Sequence, residues 1–174
     1  QSTISHLMSV LDEENTDYRR AAVKTLGAIG FDAVPPLVQA LTSSNNVTVR
    51  GSAAKALAQV AINYPDEPFP AEGLQGLKTA LNDPNPVVHI ATVMALGEIG
   101  SPVVDLLIEA LQTTDNPALA ISLVNALASI GDERGVGVLQ ALLQDESTDS
   151  YVRETANSAL SRLEMTSKFQ RGER

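Results

Sequence analysis

The chain has 174 residues and a net charge of −9, with 44% apolar and 19% charged side chains. That balance is too apolar for a disordered chain, and the length suffices to bury a core. The acidity opposes phosphate binding, which needs clustered Lys and Arg, so nucleic acid and anionic lipid are poor partners. There is no Cys, which removes disulfides, thiolate metal sites, Cys nucleophiles and thioether-linked cofactors. Three Phe, three Tyr and no Trp leave the core to Ala, Leu, Val and Ile.

No apolar run reaches the roughly 18 residues that a membrane span needs, so no membrane insertion is expected. The lack of Cys fits a reducing cytoplasm, and the start, Gln1-Ser2-Thr3-Ile4-Ser5, carries no signal-peptide pattern, with a removed leader left open. A chain that begins at Gln is expected to have lost its first residues.

In chain order, an apolar series closes at Leu11, and the polar turn Asp12-Glu13-Glu14-Asn15-Thr16 follows. The next series ends Val23-Lys24-Thr25-Leu26-Gly27-Ala28-Ile29-Gly30. Ala33-Val34-Pro35-Pro36-Leu37-Val38-Gln39-Ala40-Leu41 opens the second cycle, which turns at 42–46 and closes around Leu57. After the insertion 62–72, further cycles run through Leu81 to Leu96, Leu111 to Leu127 and Leu143 to Leu160. Apolar residues three and four apart read as helix throughout, and period-two alternation is missing. Asn, Asp, Ser and Pro in the turns stop one helix and cap the next. Pro86 and Pro117 fall at helix starts, where a missing N–H costs nothing. Gly30, Gly100 and Gly131 fall just past helix ends, where a left-handed cap is expected.

The anchoring leucines Leu26, Leu57, Leu96, Leu127 and Leu160 are separated by 31, 39, 31 and 33 residues. The chain therefore reads as tandem helical hairpins at about 2–30, 33–61, 71–100, 101–131 and 133–163. They form one domain, 1–163, followed by a polar C-terminal tail, 164–174.

The Leu-Gly-x-Ile-Gly endings and the Tyr18-Arg19, Val49-Arg50 and Val152-Arg153 pairs, each seven residues before an anchor, resemble the HEAT repeat. Val88-His89 and Leu119-Ala120 depart from that pair. The resemblance covers residues 2–163 and implies an all-α fold: a right-handed α-α superhelix of about five hairpins, with the second helix of each on the concave side. It also implies that Arg19, Arg50 and Arg153 pair with acidic groups between repeats.

No catalytic constellation is visible. His6 and His89 are far apart and lack ligands at metal spacing, so no metal site is expected. His89 stands in the place of the repeat arginine and reads as a structural variant. No phosphate loop and no Ser–His–acid arrangement is present. Asn46-Val47-Thr48 matches a glycosylation acceptor but reads as a turn.

Binding by shape remains. Stacking the second helices puts Lys24, Lys55, Met94, Asn125 and Ser158 in one series, Arg20, Gly51, Ile90, Ile121 and Glu154 in another, and Asp17, Thr48, Val87, Ala118 and Tyr151 in a third. The outer repeats are polar there, whereas Val87, Ile90, Met94, Ala118 and Ile121, with Asn125, form an expected apolar groove. Packing against an N-terminal extension or a dimer mate is the competing reading. The insertion offers Tyr64, Asp66, Glu67 and Phe69 on a segment stiffened by three prolines. It is either a binding loop or a cover over the joint between repeats two and three.

The repeats are similar in style to the cyanobacterial bilin-lyase-like group, and the stretch from Asn85 to Leu111 and Tyr151-Val152-Arg153-Glu154 resemble its phycobilisome-degradation (non-bleaching B) type. The resemblance implies an adaptor for phycobiliprotein subunits or their open-chain tetrapyrrole in phycobilisome degradation, with phycocyanobilin as a transient ligand and no intrinsic cofactor. The alternatives are a phycobilin lyase, or a lyase subunit, that attaches or detaches bilin, and a plain scaffold without pigment. A homo- or heterodimer fits each of these.

Overall fold

The computed structural model describes residues 2–172, and residue 1 and the last two residues of the expected tail lie outside it. The described residues are helical throughout, with no strand among them. They gather into two compact units, Gln1–Ile99 and Gly100–Arg174.

The first unit holds three hairpins: α1 (Thr3–Met8) with α2 (Thr16–Ile29), α3 (Val34–Ser43) with α4 (Val47–Asn63), and α5 (Ala71–Ala80) with α6 (Pro86–Ile99). Helix α4 packs against both α2 and α6, and α3 packs against α5, so each hairpin lies on its neighbour in sequence. The second unit holds two hairpins: α7 (Val104–Thr113) with α8 (Pro117–Ile130), and α9 (Glu133–Gln144) with α10 (Ser150–Gln170). Here α8 packs on α10 and α7 on α9. Most of the segment read as a tail is therefore the end of α10.

The anchoring leucines are core residues, and Leu26, Leu57 and Leu96 are wholly buried. Each such leucine contributes on the order of 1.5–3 kcal/mol by leaving water. Small residues let the helices approach: Ala53, Ala54, Ala56 and Ala95 are all inaccessible. The short first helix ends early, yet Leu11 beyond it is fully buried. Its carbonyl accepts a hydrogen bond of 2.9 Å from the buried Ser52 hydroxyl. That bond satisfies a backbone group which no longer belongs to a helix.

One device starts every second helix. The side chain of Asn15, Asn46, Asn85, Asn116 or Asp149 accepts from a backbone N–H two or three residues on. Each satisfies a donor that helix geometry leaves orphaned. The helix ends differ from expectation. Gly131 takes the left-handed cap, at φ 71° and ψ 17°. Gly30, at φ 90° and ψ −140°, lies instead in the mirror of extended backbone, a region open only to glycine. That conformation turns the chain at once into the 3-10 turn Phe31–Ala33.

Candidate functional site

Helix α6 carries the clearest surface feature. Val87, Ile90 and Met94 are 56%, 52% and 62% exposed. They stand three and four residues apart and so share one face. The corresponding residues of α2, Asp17, Arg20 and Lys24, are exposed and charged, as is Lys55 of α4. Thr48 is exposed, and Gly51 is buried. The apolar stripe is therefore local to α6.

The other half of the expected groove belongs to the second unit. Ala118 and Asn125 of α8 are exposed, and Ile121 is half-buried. Asn125 is engaged, because its Oδ1 accepts from Nη2 of Arg162 on α10 at 3.3 Å. Tyr151, at the matching position of α10, is 70% exposed.

The insertion is shorter than its sequence signature, since α4 continues through Ile62 and Asn63 and α5 begins at Ala71. Tyr64 and Phe69 are half-buried against Phe31, with ring centroids 5.6 and 6.2 Å away. The Tyr64 hydroxyl donates to the Ala28 carbonyl at 2.6 Å. Phe69 also lies against Gly73, where an added Cβ would overlap its ring. The loop thus covers the link from α2 to α3, which joins repeats one and two. The sequence predicts that cover between repeats two and three; the packing of Tyr64 and Phe69 on Phe31 puts it one joint earlier. Asp66 and Glu67 remain exposed at the loop tip.

The repeat arginines divide. Arg50 binds Asp83 of the next repeat through Nε at 2.7 Å and Nη2 at 3.3 Å, and Nη1 donates to the Ser44 carbonyl at 3.0 Å. Arg19 does not reach the next repeat; its Nη1 donates to the Glu13 carbonyl of its own turn. His89, in the same register, is half-buried, and neither its Nε2 nor the Thr92 hydroxyl has a hydrogen-bond partner among the described residues. Ala120, in the same register, is buried and offers only a methyl group. In the second unit a cavity of about 790 Å³ opens there, between the turns that precede α8 and α10.

Arg134 of α9 supplies the second ionic cluster. It binds Asp132 at 2.9 Å and Asp105 at 3.1 Å, and donates to the Ser101 carbonyl. Its side-chain hydrogen bond, with the Arg134 backbone N–H, draws the Asp132 carboxyl down to about 2. The same contact holds the Arg134 guanidinium above its usual range. Asp145 is also held below the ordinary carboxylate range, first by the Ser147 hydroxyl and then by the Ser147 backbone N–H, with Arg153 adding charge. Among the described residues, no three His, Asp or Glu side chains gather as a metal site, and no single helix is long and apolar enough to cross a membrane.

Residues 4–68 and 74–161 match the family model of HEAT repeats. The chain belongs to the HEAT-repeat family. The break in the match, 69–73, falls where the loop meets α5.

Its relatives are cyanobacterial. The chain is 71% identical over 168 residues to the "uncharacterized phycocyanin operon protein Z" of Pseudanabaena tenuis (strain PCC 7409), covering 97% of this chain and 83% of that one. It is 33% identical to the bilin biosynthesis protein CpeZ of Synechococcus sp. (strain WH8020), covering 91% and 88%. Among solved structures, the CpcE–CpcF complex of phycocyanin lyase from Nostoc sp. PCC7120 is similar at a TM-score of 0.69 and 19% identity, covering 90% and 96%. A designed armadillo repeat protein follows at 0.54 and 22%, covering 92% and 81%. At these identities the structural likeness speaks for the fold. The chain is thus a HEAT-repeat protein related to cyanobacterial bilin-lyase-like proteins.

Proposed function

We propose that this chain handles bilin during phycobiliprotein maturation, as a phycobilin lyase or as one subunit of a lyase. The exposed stripe Val87–Ile90–Met94 carries the reading, because an open-chain tetrapyrrole is a long, mostly apolar body that such a face would shield from water. The relatives named for bilin biosynthesis and for a phycocyanin operon support attachment ahead of the degradation role that the repeat style suggested.

The chain's own contribution is capture and orientation. It has no Cys, so phycocyanobilin would be held without a covalent bond and passed to the phycobiliprotein subunit. Orientation alone can supply a large part of a rate enhancement, and a site without an acid–base pair is consistent with that division of labour.

The test combines the chain with phycobiliprotein subunits lacking chromophore and with phycocyanobilin. The expected result is co-elution, a shift in bilin absorbance and faster appearance of covalent pigment on the subunit. Unchanged spectra and no co-elution would leave the plain scaffold as the function.

A further inference from the structure

The second helices of the first unit run in the same direction, and α4 packs against both α2 and α6. Their exposed faces differ in chemistry. Helix α6 presents Val87, Ile90 and Met94. One helix away, Lys55 of α4 is exposed in the register of Met94, and Lys24 of α2 is exposed in that register one helix further on. Gly51 fixes the alignment of α4 with α6, because a Cβ there would meet Cγ1 of Val87 at 3.8 Å. One turn onward from that contact on both helices, Lys55 comes alongside Ile90.

The chain is acidic, at −9, yet Lys24 and Lys55 make no ion pair among the described residues. The acids of this face stand at its margins. Asp17 lies three residues before Arg20 on α2, a spacing at which opposite charges offset each other. Glu98 is exposed one turn beyond Met94 and closes the end of the stripe along α6. The two lysines are the cations left over, and both lie on the same side of the stripe. An anion would be drawn to that side and turned away from the Glu98 end. Val87 to Met94 spans about 10 Å along α6, and neighbouring helix axes stand about 8–10 Å apart. A lysine stem can lie along such an apolar surface with its ammonium in water.

We infer that Lys55 and Lys24 receive the two propionate carboxylates of an open-chain tetrapyrrole whose apolar rings lie along α6. The inference rests on the bilin reading of the stripe and adds the groups that orient the ligand. The propionates of phycocyanobilin hang from its two inner rings on one edge of the molecule. Cations on one side of an apolar strip match that edge. The ammonium is a compact charge on a flexible stem, so it follows a mobile carboxylate without a fixed fork geometry. Anchoring that edge leaves the outer rings at the ends of the stripe, and one orientation is selected before transfer.

The experiment titrates the chain with phycocyanobilin and with its diamide, in which both propionates are carboxamides, and follows bilin absorbance. The diamide keeps the shape and loses the charge. The parent should bind the free acid about tenfold more tightly than the diamide, the worth of two exposed ion pairs. The difference should shrink as salt is raised. Lys24→Gln with Lys55→Gln should bring the acid down to the level of the diamide and leave the diamide unchanged. Lys24→Arg with Lys55→Arg keeps the charges and should keep the preference. Both positions are exposed, so the melting temperature should be nearly the same in all three proteins. Equal binding of acid and diamide by the parent would overturn the inference and leave the bilin reading in place, as would a preference kept by the Gln pair. Binding of neither compound would remove the inference and the reading together. Equal binding of both compounds, with capture of the chromophore-free subunit lost in the Gln pair, would assign the lysines to the protein partner and overturn the inference.

Discussion

Arg50 and Asp83, on consecutive repeats, meet in a two-point ion pair of 2.7 and 3.3 Å with only 13% and 7% of their side chains exposed. The pair joins α4 to the turn ahead of α6 and also ties down the Ser44 carbonyl. Removing one partner strands a charge in a site that water scarcely enters. Arg50→Ala is therefore expected to destabilise the first unit by about 3–5 kcal/mol, read from denaturant unfolding. Replacing both residues together by Met and Leu should cost less than the single change. Equal costs would mean that packing, not charge, holds the joint.

The loop gives the second prediction. Tyr64 and Phe69 close over Phe31, and the Tyr64 hydroxyl reaches the Ala28 carbonyl. Tyr64→Phe should cost about 1 kcal/mol, the net worth of one hydrogen bond, with the ring left in place. Phe69→Ala should cost about 2 kcal/mol, below the roughly 3–5 of a fully buried aromatic because the ring is half-exposed. Deleting residues 65–70 should lower the melting temperature by more than either change. An unchanged melting temperature with loss of binding would instead make the loop a recognition element.

Much of this was legible in the sequence, for definite reasons. The hairpins follow from period 3.6, and the turn asparagines mark helix starts because their short side chains reach the orphaned N–H groups. Exposure of Val87, Ile90 and Met94 followed from counting positions back from the buried anchor Leu96. What stayed hidden depends on contacts between distant residues. Asp83 looks like any turn carboxylate until Arg50 lies against it. Phe31 lies in the link between the first two repeats and Tyr64 in the loop after the second, so no local spacing links them. The departure at Ala120 was visible as a broken pattern, but that the turn 145–149 lines one cavity with it depends on contacts that no local spacing shows.

The stripe on α6 is the third point. Its residues already stand in water, so polar substitution removes little packing. Ile90→Asp or Met94→Asp should change stability by less than about 0.5 kcal/mol and leave the helical circular dichroism signal intact. The same variants should lose capture of phycobiliprotein subunit or bilin. Retained capture would move the binding face elsewhere on the chain.

The last prediction concerns pH. Asp132 has a carboxyl drawn down to about 2 in the folded protein, chiefly by the side-chain hydrogen bond with Arg134, from an ordinary value of 3.8. Its folded value lies below its unfolded one, so the stabilisation is fully present above about pH 4 and fades as the pH falls toward 2. Asp145 shifts in the same direction and adds to the loss. The group is solvent-exposed, so salt should reduce the effect. Asp132→Asn keeps the capping oxygen that accepts from the Arg134 backbone N–H but removes the charge. Melting temperatures from pH 5 to pH 2 should fall less steeply for Asp132→Asn than for the parent, and the two curves should converge at the acid end. Parallel curves would show that Arg134 gains nothing from Asp132 in the folded state beyond what it has in the unfolded chain.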